Sequence, residues 1–215
     1  MFSASTCSRH TNTFRVGIAV GFLNRFRIFK IARYCMKQAH QKVSDTSITV
    51  SQEREAKFGR IWKLVAVQHL PKPVESVFPF FSDAYNLERL TPSSLKFNVL
   101  TPKPIEMRSG CEIKYKLKIH GFPIKWKTTI LDFDPPYQFV DNQDSGPYAL
   151  WHHTHTFEQT ADGSGTICTD TVRYRPAGWI LAPMINKFFV QKDVTNIFRY
   201  RFKQLDDIFS PVAGS

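Results

Sequence analysis

The chain has 215 residues, of which 42% are hydrophobic and 14% aromatic, enough for one domain of ordinary size with an extension. Its net charge of +11 lies mostly in the first quarter, because residues 1–60 hold eleven Lys and Arg against three Asp and Glu. This distribution argues against a nucleic-acid-binding surface across the whole protein, and four scattered cysteines without a C-x-x-C pair argue against a zinc ribbon or a disulfide framework.

Residues 1–59 are interpreted as a basic N-terminal extension. The apolar run Val16–Leu23 is too short to cross a bilayer as a helix, which needs about 20 residues. Four interpretations stay open: a disordered tail, upstream sequence included by a wrong start codon before Met36, a basic amphipathic segment on an anionic membrane, and a targeting peptide. Residues 44–58 are polar and are predicted to be a linker.

The folded domain is predicted over residues 60–210, with a tail at 211–215. IWKLVAVQHL (Ile61–Leu70) alternates and is rich in strand-forming residues, so it is predicted to be the first strand. Apolar residues at helical spacing from Val74, and again over Asn86–Leu90, predict two short helices after it.

Six further segments are predicted to be strands, because apolar and polar residues alternate in them or turn residues bound them. They are Leu95–Thr101, Cys111–Gly121, Phe122–Asp134, Tyr137–Gln143, Ala149–Gln159 and Gly165–Pro176.

The last two of these strands are predicted to form a hairpin around the turn ADGS. Only one parity of the register places the large apolar residues of both strands on one face. The paired residues are then Trp151 with Tyr174, His153 with Val172, His155 with Asp170, and Phe157 with Cys168.

A helix of roughly 25 residues is predicted from Pro183 to Phe209, because apolar residues recur there at spacings of three and four. The sheet and the helix each have one apolar face to bury, so they are expected to pack on one another. The expected fold class is α+β: a curved antiparallel sheet of about seven strands around a long C-terminal helix, with two short helices after the first strand.

Several motifs in this order carry a resemblance to a known superfamily: LPKPVESVFPFFSDAYNLERLTP, DFDPPYQFVDNQDSGPY, WHHTHTFE and the terminal helix. Over residues 61–209 the chain resembles the START-like, helix-grip or SRPBCC superfamily, and within it the bacterial polyketide-cyclase and coenzyme Q-binding branches. The resemblance implies a deep apolar cavity between sheet and helix.

The residues expected to bind a ligand are those on the inner faces of the strands and helix. They are Tyr115, Leu117, Trp126, Ile130, Phe139, Trp151, His153, His155, Phe157, Asp170, Val172, Tyr174, Trp179, Met184 and Phe188.

His153 and His155 are two residues apart on a strand, so they share a face about 7 Å apart. Four interpretations of the pair stay open. His155 and Asp170 satisfy one another in the cavity wall, a histidine contacts the polar head of a ligand, the pair performs acid–base catalysis with His153 assisting, or the three residues bind a metal. A His-x-His pair with one carboxylate is a weak metal signal, so no metal is expected.

Two surface features suggest peripheral contact with an anionic membrane. Lys116 and Lys118 are expected to lie opposite Lys127 and Lys125 on an outer face of the sheet. The alternative interpretation is that this face is an ordinary solvated surface without a partner. The apolar run Trp179–Ile185 borders the expected cavity mouth, where it gates the ligand, enters a bilayer or packs in the core.

The resulting functional expectation is binding or transport of a hydrophobic small molecule, such as a lipid, quinone or polyketide-like compound. The alternatives are a cyclase or dehydratase that uses His155 and Asp170, and a protein–protein adaptor with a vestigial cavity. No nucleotide motif, phosphate loop or G-x-S-x-G elbow is visible, so neither a cofactor nor a nucleic acid is expected. A cytoplasmic location, at most peripheral to the membrane, is expected, and the oligomeric state stays open.

Overall fold

A computed structural model describes residues 46–210, so the interpretations of the N-terminal extension up to residue 45 and of the tail 211–215 lie outside the described residues. Eight strands form one antiparallel sheet in the order β1-β2-β8-β7-β6-β5-β4-β3. Their bounds are β1 Ser47–Glu55, β2 Gly59–Leu70, β3 Asn98–Val99, β4 Glu112–Ile119, β5 Phe122–Asp134, β6 Gln138–Ser145, β7 Tyr148–Gln159 and β8 Thr166–Pro176.

The helices follow the predicted order. Helix α1 (Val74–Phe81) and a 3-10 turn (Ala84–Glu88) come after β2. A second 3-10 turn occupies Ser93–Leu95, and the strand predicted over Leu95–Thr101 is present only as β3, Asn98–Val99. The C-terminal helical segment consists of a 3-10 turn, helix α2, a π-turn and helix α3. Their bounds are Trp179–Leu181, Ala182–Ile185, Asn186–Val190 and Gln191–Phe209.

The prediction of a linker over residues 44–58 is wrong for Ser47–Glu55, which pairs with β2 as an edge strand. The segment is polar because one side of an edge strand faces solvent, where charged residues also discourage pairing with other chains. Ile48 and Val50 pack against the core, while Glu55 accepts a 2.9 Å hydrogen bond from Arg173. The sheet therefore has eight strands rather than about seven.

The register predicted for the hairpin of β7 and β8 is confirmed at all four residue pairs. The register predicted for the lysines of β4 and β5 is wrong by two residues, because Lys116 lies opposite Lys125 and Lys118 opposite Pro123. A two-residue turn causes the shift. His120 and Gly121 both have positive φ, as a tight hairpin turn requires, and so Ile119 pairs with Phe122.

The C-terminal helix does not keep one continuous apolar face. The π-turn at Asn186–Val190 has more residues per turn than an α-helix, so it rotates the segment before it relative to α3. Met184 and Phe188, both predicted on the inner face, are 53% and 61% exposed. The buried face of α3 is formed by Val194, Phe198, Arg201, Phe202, Leu205 and Phe209.

The core lies between the inner face of the sheet and α3. One point of attachment is polar: buried Gln68 of β2 donates through Nε2 to the carbonyl oxygen of Phe202 and to the carboxylate of Asp206, at 2.9 and 2.8 Å. Among residues 46–210, no helix combines the length and hydropathy that crossing a bilayer requires.

Candidate functional site: a cavity with a buried histidine–aspartate cluster

A cavity of about 150 Å³ lies between the sheet and helix α3, and its lining is mostly apolar. Strand alternation positions the lining, because every second residue of β4 to β7 points toward the helix. Eight of the residues predicted to bind a ligand line this cavity. They are Tyr115, Leu117, Trp126, Ile130, Phe139, Trp151, His153 and His155.

The other predicted residues lie elsewhere. Four are buried on the same side of the sheet but do not line the cavity: Phe157, Asp170, Val172 and Tyr174. Trp179 begins the 3-10 turn before α2, and Met184 and Phe188 are exposed. The cavity is therefore lined by much of the sheet half of the predicted set, whereas its helix half is formed by Val194, Ile197, Phe198 and Arg201 instead of the predicted residues.

Five polar residues form what we call the histidine–aspartate cluster: Asp141, His153, His155, Asp170 and Arg201. All but Asp170, which lies behind the histidines, line the cavity. Asp141 is contributed by β6, the histidines by β7, Asp170 by β8 and Arg201 by α3. Adjacent strands bring the first four together on one face, and the helix adds the fifth from above.

Each carboxylate of the cluster contacts both histidines. Oδ2 of Asp141 lies 3.0 Å from Nε2 of His155 and 3.4 Å from Nδ1 of His153. Oδ1 of Asp170 lies 3.0 Å from Nε2 of His153 and 2.6 Å from Nδ1 of His155, the latter without hydrogen-bond geometry. Nη1 of Arg201 is 3.3 Å from Oδ2 of Asp170. The predicted contact between His155 and Asp170 is present, as part of a larger network.

Ring contacts fix the orientation of the histidines. The two imidazole centroids are 3.7 Å apart, and the Phe139 ring stacks on His155 at 4.1 Å with an interplanar angle of 20°. Phe198 of α3 meets His153 edge-on at 5.8 Å. The nitrogens are thus held in place by packing as well as by hydrogen bonds, which favours a preorganised site.

Neighbouring positive charges lower the pKa values of both carboxyl groups in the cluster. Burial by itself raises the pKa of Asp170, but the charge of Arg201, followed by the charge of His155, outweighs it and holds this pKa well below its usual range. For Asp141, burial again opposes ionisation, but the charge of His153 and the hydrogen bond from His155 lower the pKa. Both carboxyl groups are therefore ionised.

The pKa values of the two histidines shift in opposite directions. Burial, reinforced by the charge of His155, lowers the pKa of His153. Burial also acts to lower the pKa of His155, but Asp170 and Asp141 outweigh it and raise that pKa. His155 therefore holds its proton to a higher pH than His153 does.

Sequence reasoning missed Asp141 and Arg201, although signals for both were present. Asp141 is two residues after Phe139 in a predicted strand, so period-two alternation places it on the inner face. Arg201 is three residues after Phe198 and four before Leu205, which places it on the buried face of the helix.

A second, open groove of about 670 Å³ adjoins the cavity. It lies between the turn that connects β4 and β5, the chain after β8, and the start of the C-terminal helical segment. Leu95, Leu117 and Ile197 line both the groove and the cavity, so these three side chains form the boundary between them.

Comparisons with solved structures show the same fold. The Zhui aromatase/cyclase from Streptomyces sp. R1128 is 15% identical, with a TM-score of 0.53 over 72% of this chain and 99% of that one. A START superfamily protein from Mycobacterium smegmatis is 10% identical, with a TM-score of 0.52 over 68% of this chain and 98% of that one. Ginseng major latex-like protein 151 from Panax ginseng is 10% identical, with a TM-score of 0.50 over 69% and 97%. These likenesses establish a START-like helix-grip fold.

Among curated proteins, none matches this chain. A family model does match, over residues 70–199, which is more than half of the chain and includes the cavity-lining residues of β4 to β7. The chain therefore belongs to the family described as polyketide cyclase / dehydrase and lipid transport.

Proposed function

We propose that the protein binds a hydrophobic small molecule, with its polar or aromatic head in the cavity and its apolar remainder in the adjoining groove. The observation that carries this proposal is a mostly apolar cavity with one polar wall, which the histidine–aspartate cluster forms. Small-molecule sites commonly combine an apolar lining with a few fixed polar groups, which orient the ligand.

The size of the cavity defines which part of a ligand it takes. An apolar cavity of about 150 Å³ accepts a molecule of the size of benzene, whereas sites for larger ligands occupy about 300–1,000 Å³. The cavity by itself thus fits a single ring or headgroup. A lipid, a quinone or a polyketide-like chain extends past Leu117 and Ile197 into the groove, which has the necessary volume.

The polar wall favours a ligand with a hydrogen-bonding head. Asp141, His153 and His155 line the cavity, while Asp170 lies behind the histidines. A carbonyl, phenol or hydroxyl group placed against these residues replaces water there without leaving a buried polar group unpaired.

The test is organic extraction of the full-length protein, purified from its host without added ligand, followed by mass spectrometry of the extract. A stoichiometric lipid, quinone or aromatic polyketide supports the proposal and identifies the class. A protein that is empty and binds no member of a lipid and quinone panel contradicts it and favours the adaptor alternative.

A second candidate function is acid–base catalysis on the bound compound, as a cyclase or dehydratase. It is favoured by the two cavity-facing histidines, since the raised pKa of His155 suits a general acid and the lowered pKa of His153 suits a general base. Incubation of the extracted compound with the protein and with His155→Gln distinguishes the two functions. Time-dependent conversion by the wild-type protein alone supports catalysis, and an unchanged compound with both proteins leaves binding as the function.

We also propose that the protein loads its ligand at an anionic membrane surface. Three phenylalanine side chains are exposed near the groove: Phe122 at the start of β5, and Phe188 and Phe189 in the π-turn. His120, in the turn before β5, contacts Phe189. Lys118 lines the same groove, and Lys116 and Lys125 face one another on the adjacent strands. Apolar side chains surrounded by lysines are typical of surfaces that bind anionic headgroups.

A further inference from the structure

Three potential metal ligands converge on one point of the cavity wall. Asp141, His153 and His155 each offer one ligand atom, and these three atoms lie within 4.8 Å of one another. In the geometry described above, the atoms that face one another are Oδ2 of Asp141, Nδ1 of His153 and Nε2 of His155. The carboxylate oxygen is 3.4 Å from the first nitrogen and 3.0 Å from the second.

These separations fit a metal ion of the size of zinc. Bonds of about 2.1 Å that meet at angles between 90° and 109° place neighbouring ligand atoms about 3.0–3.4 Å apart. The two separations from the carboxylate oxygen thus match those of a bound ion, and the two nitrogens lie within 4.8 Å of one another.

The opposite nitrogen of each histidine faces a second carboxylate. Oδ1 of Asp170 lies 3.0 Å from Nε2 of His153 and 2.6 Å from Nδ1 of His155, and Arg201 holds the other oxygen of Asp170. Histidines that bind metals usually donate their second N–H to a carboxylate, which sets the tautomer and orients the ring. A single aspartate here faces both rings.

One contact in the cluster also calls for a cation. Nε2 of His153 hydrogen-bonds to Asp170, whereas Nδ1 of the same ring faces the Asp141 carboxylate at 3.4 Å without a hydrogen bond. An imidazole lone pair directed at a carboxylate oxygen is repulsive unless a proton or a cation lies between them. A metal ion at this point provides that charge, and it also replaces the hydrogen bond between Nε2 of His155 and the same carboxylate oxygen.

We propose that Asp141, His153 and His155 bind a divalent first-row transition-metal ion such as Zn²⁺, Co²⁺ or Fe²⁺, and that its remaining coordination positions face the cavity. Two imidazoles and one carboxylate suit these ions, and three protein ligands leave room for water or for an oxygen atom of a bound molecule. The predicted third ligand, Asp170, is assigned instead to orienting the histidines. The inference does not depend on the identity of the hydrophobic ligand.

The experiment is a Co²⁺ titration of the full-length protein after dialysis against a chelator. Visible absorption follows binding, and elemental analysis after gel filtration gives the stoichiometry. One ion per chain is expected for the wild-type protein. Asp141→Asn is expected to weaken binding at least 100-fold, and Asp170→Asn, a positioning variant, by about 10–100-fold.

His152→Gln is the matched control, because it removes a neighbouring histidine that does not line the cavity, and it is expected to bind Co²⁺ as the wild-type protein does. Wild-type affinity retained by Asp141→Asn overturns the proposal, as does a wild-type protein that binds no Co²⁺. A measurement without any variant guards against misfolding. In the proton NMR spectrum of the Co²⁺ protein, two exchangeable, strongly shifted signals are expected from the imidazole N–H groups that face Asp170, and their absence places the ion elsewhere and contradicts the assignment.

Discussion

The two ends of helix α3 meet the sheet in different ways. At its C-terminal end Leu205 and Phe209 are buried in an aromatic cluster, where Phe209 meets Phe80 edge-on at 5.4 Å. At its N-terminal end the helix follows a π-turn, and Phe188 and Phe189 are exposed beside the open groove. The C-terminal, packed end is thus covered by aromatic side chains, whereas the segment before the N-terminal, open end leaves apolar side chains exposed to solvent.

The largest loss of stability is expected from a substitution at the packed end. Phe157 is 1% exposed and contacts Phe78 and Phe81 with ring centroids 5.3 and 4.9 Å apart. Phe157→Ala removes these contacts and leaves a cavity, so the free energy of unfolding is expected to fall by about 3–5 kcal/mol in urea denaturation. The control is Phe188→Ala at the open end, where a change within about 0.5 kcal/mol is expected. Equal losses in both variants would mean that the ends do not differ.

A smaller loss of stability is expected when the edge strand β1 is removed. Comparison of chains 46–215 and 59–215 isolates strand β1, whose Ile48 and Val50 are half-buried and whose Glu55 pairs with Arg173. Loss of these contacts is expected to cost about 2 kcal/mol, measured by the same denaturation. If the two chains were equally stable, β1 would be no part of the folded unit.

The next largest loss of stability is expected when the hydrogen bonds from Gln68 to helix α3 are removed. Gln68→Ala removes two hydrogen bonds to α3, and a loss of about 1–2 kcal/mol is expected. Gln138→Ala is the matched control, because this glutamine bonds to Asp132 in an exposed contact and is expected to contribute almost nothing. A Gln68 variant as stable as the control would show that packing alone positions the helix.

The smallest change in stability, but a clear change in binding, is expected for Phe188→Ser at the open end. Sedimentation with vesicles of phosphatidylcholine and phosphatidylserine is expected to show weaker binding of this variant than of the wild-type protein, because an exposed apolar side chain is lost. Leu131→Ser removes an exposed leucine of β5 that lines neither the cavity nor the groove, and serves as the control. Membrane loading is refuted if the wild-type protein shows no preference for the anionic vesicles.

Much of the fold was predictable because strand alternation carries strong information. The register of β7 and β8 was predicted correctly, since a slip by one residue would have turned Trp151 and Phe157 away from the core. Strand β1 was missed because an edge strand needs few apolar residues, and here only Ile48 and Val50 mark its inner face. The displaced helix half of the site has a different cause: a π-turn depends on tertiary packing, and no spacing rule in the sequence reveals it.

The histidine–aspartate cluster shows how far local patterns reach. The pairing of His155 with Asp170 followed from the hairpin register, whereas Asp141 and Arg201 come from a neighbouring strand and from a helix 31 residues after Asp170. Their inward directions were available from periodicity, but their meeting point depends on how the helix lies across the sheet. Long-range placement of this kind is determined by the packing of α3.

The measurement that most directly tests the binding of a hydrophobic ligand is native mass spectrometry of two variants on helix α3. Ile197→Trp places a large side chain at the boundary between the cavity and the groove, and Arg199→Trp places the same side chain on the exposed face of the helix. Under equal loading with the extracted compound, occupancy is expected to fall at least tenfold in Ile197→Trp and to stay at the wild-type level in Arg199→Trp. Full occupancy in both variants would contradict a ligand that extends from the cavity into the groove.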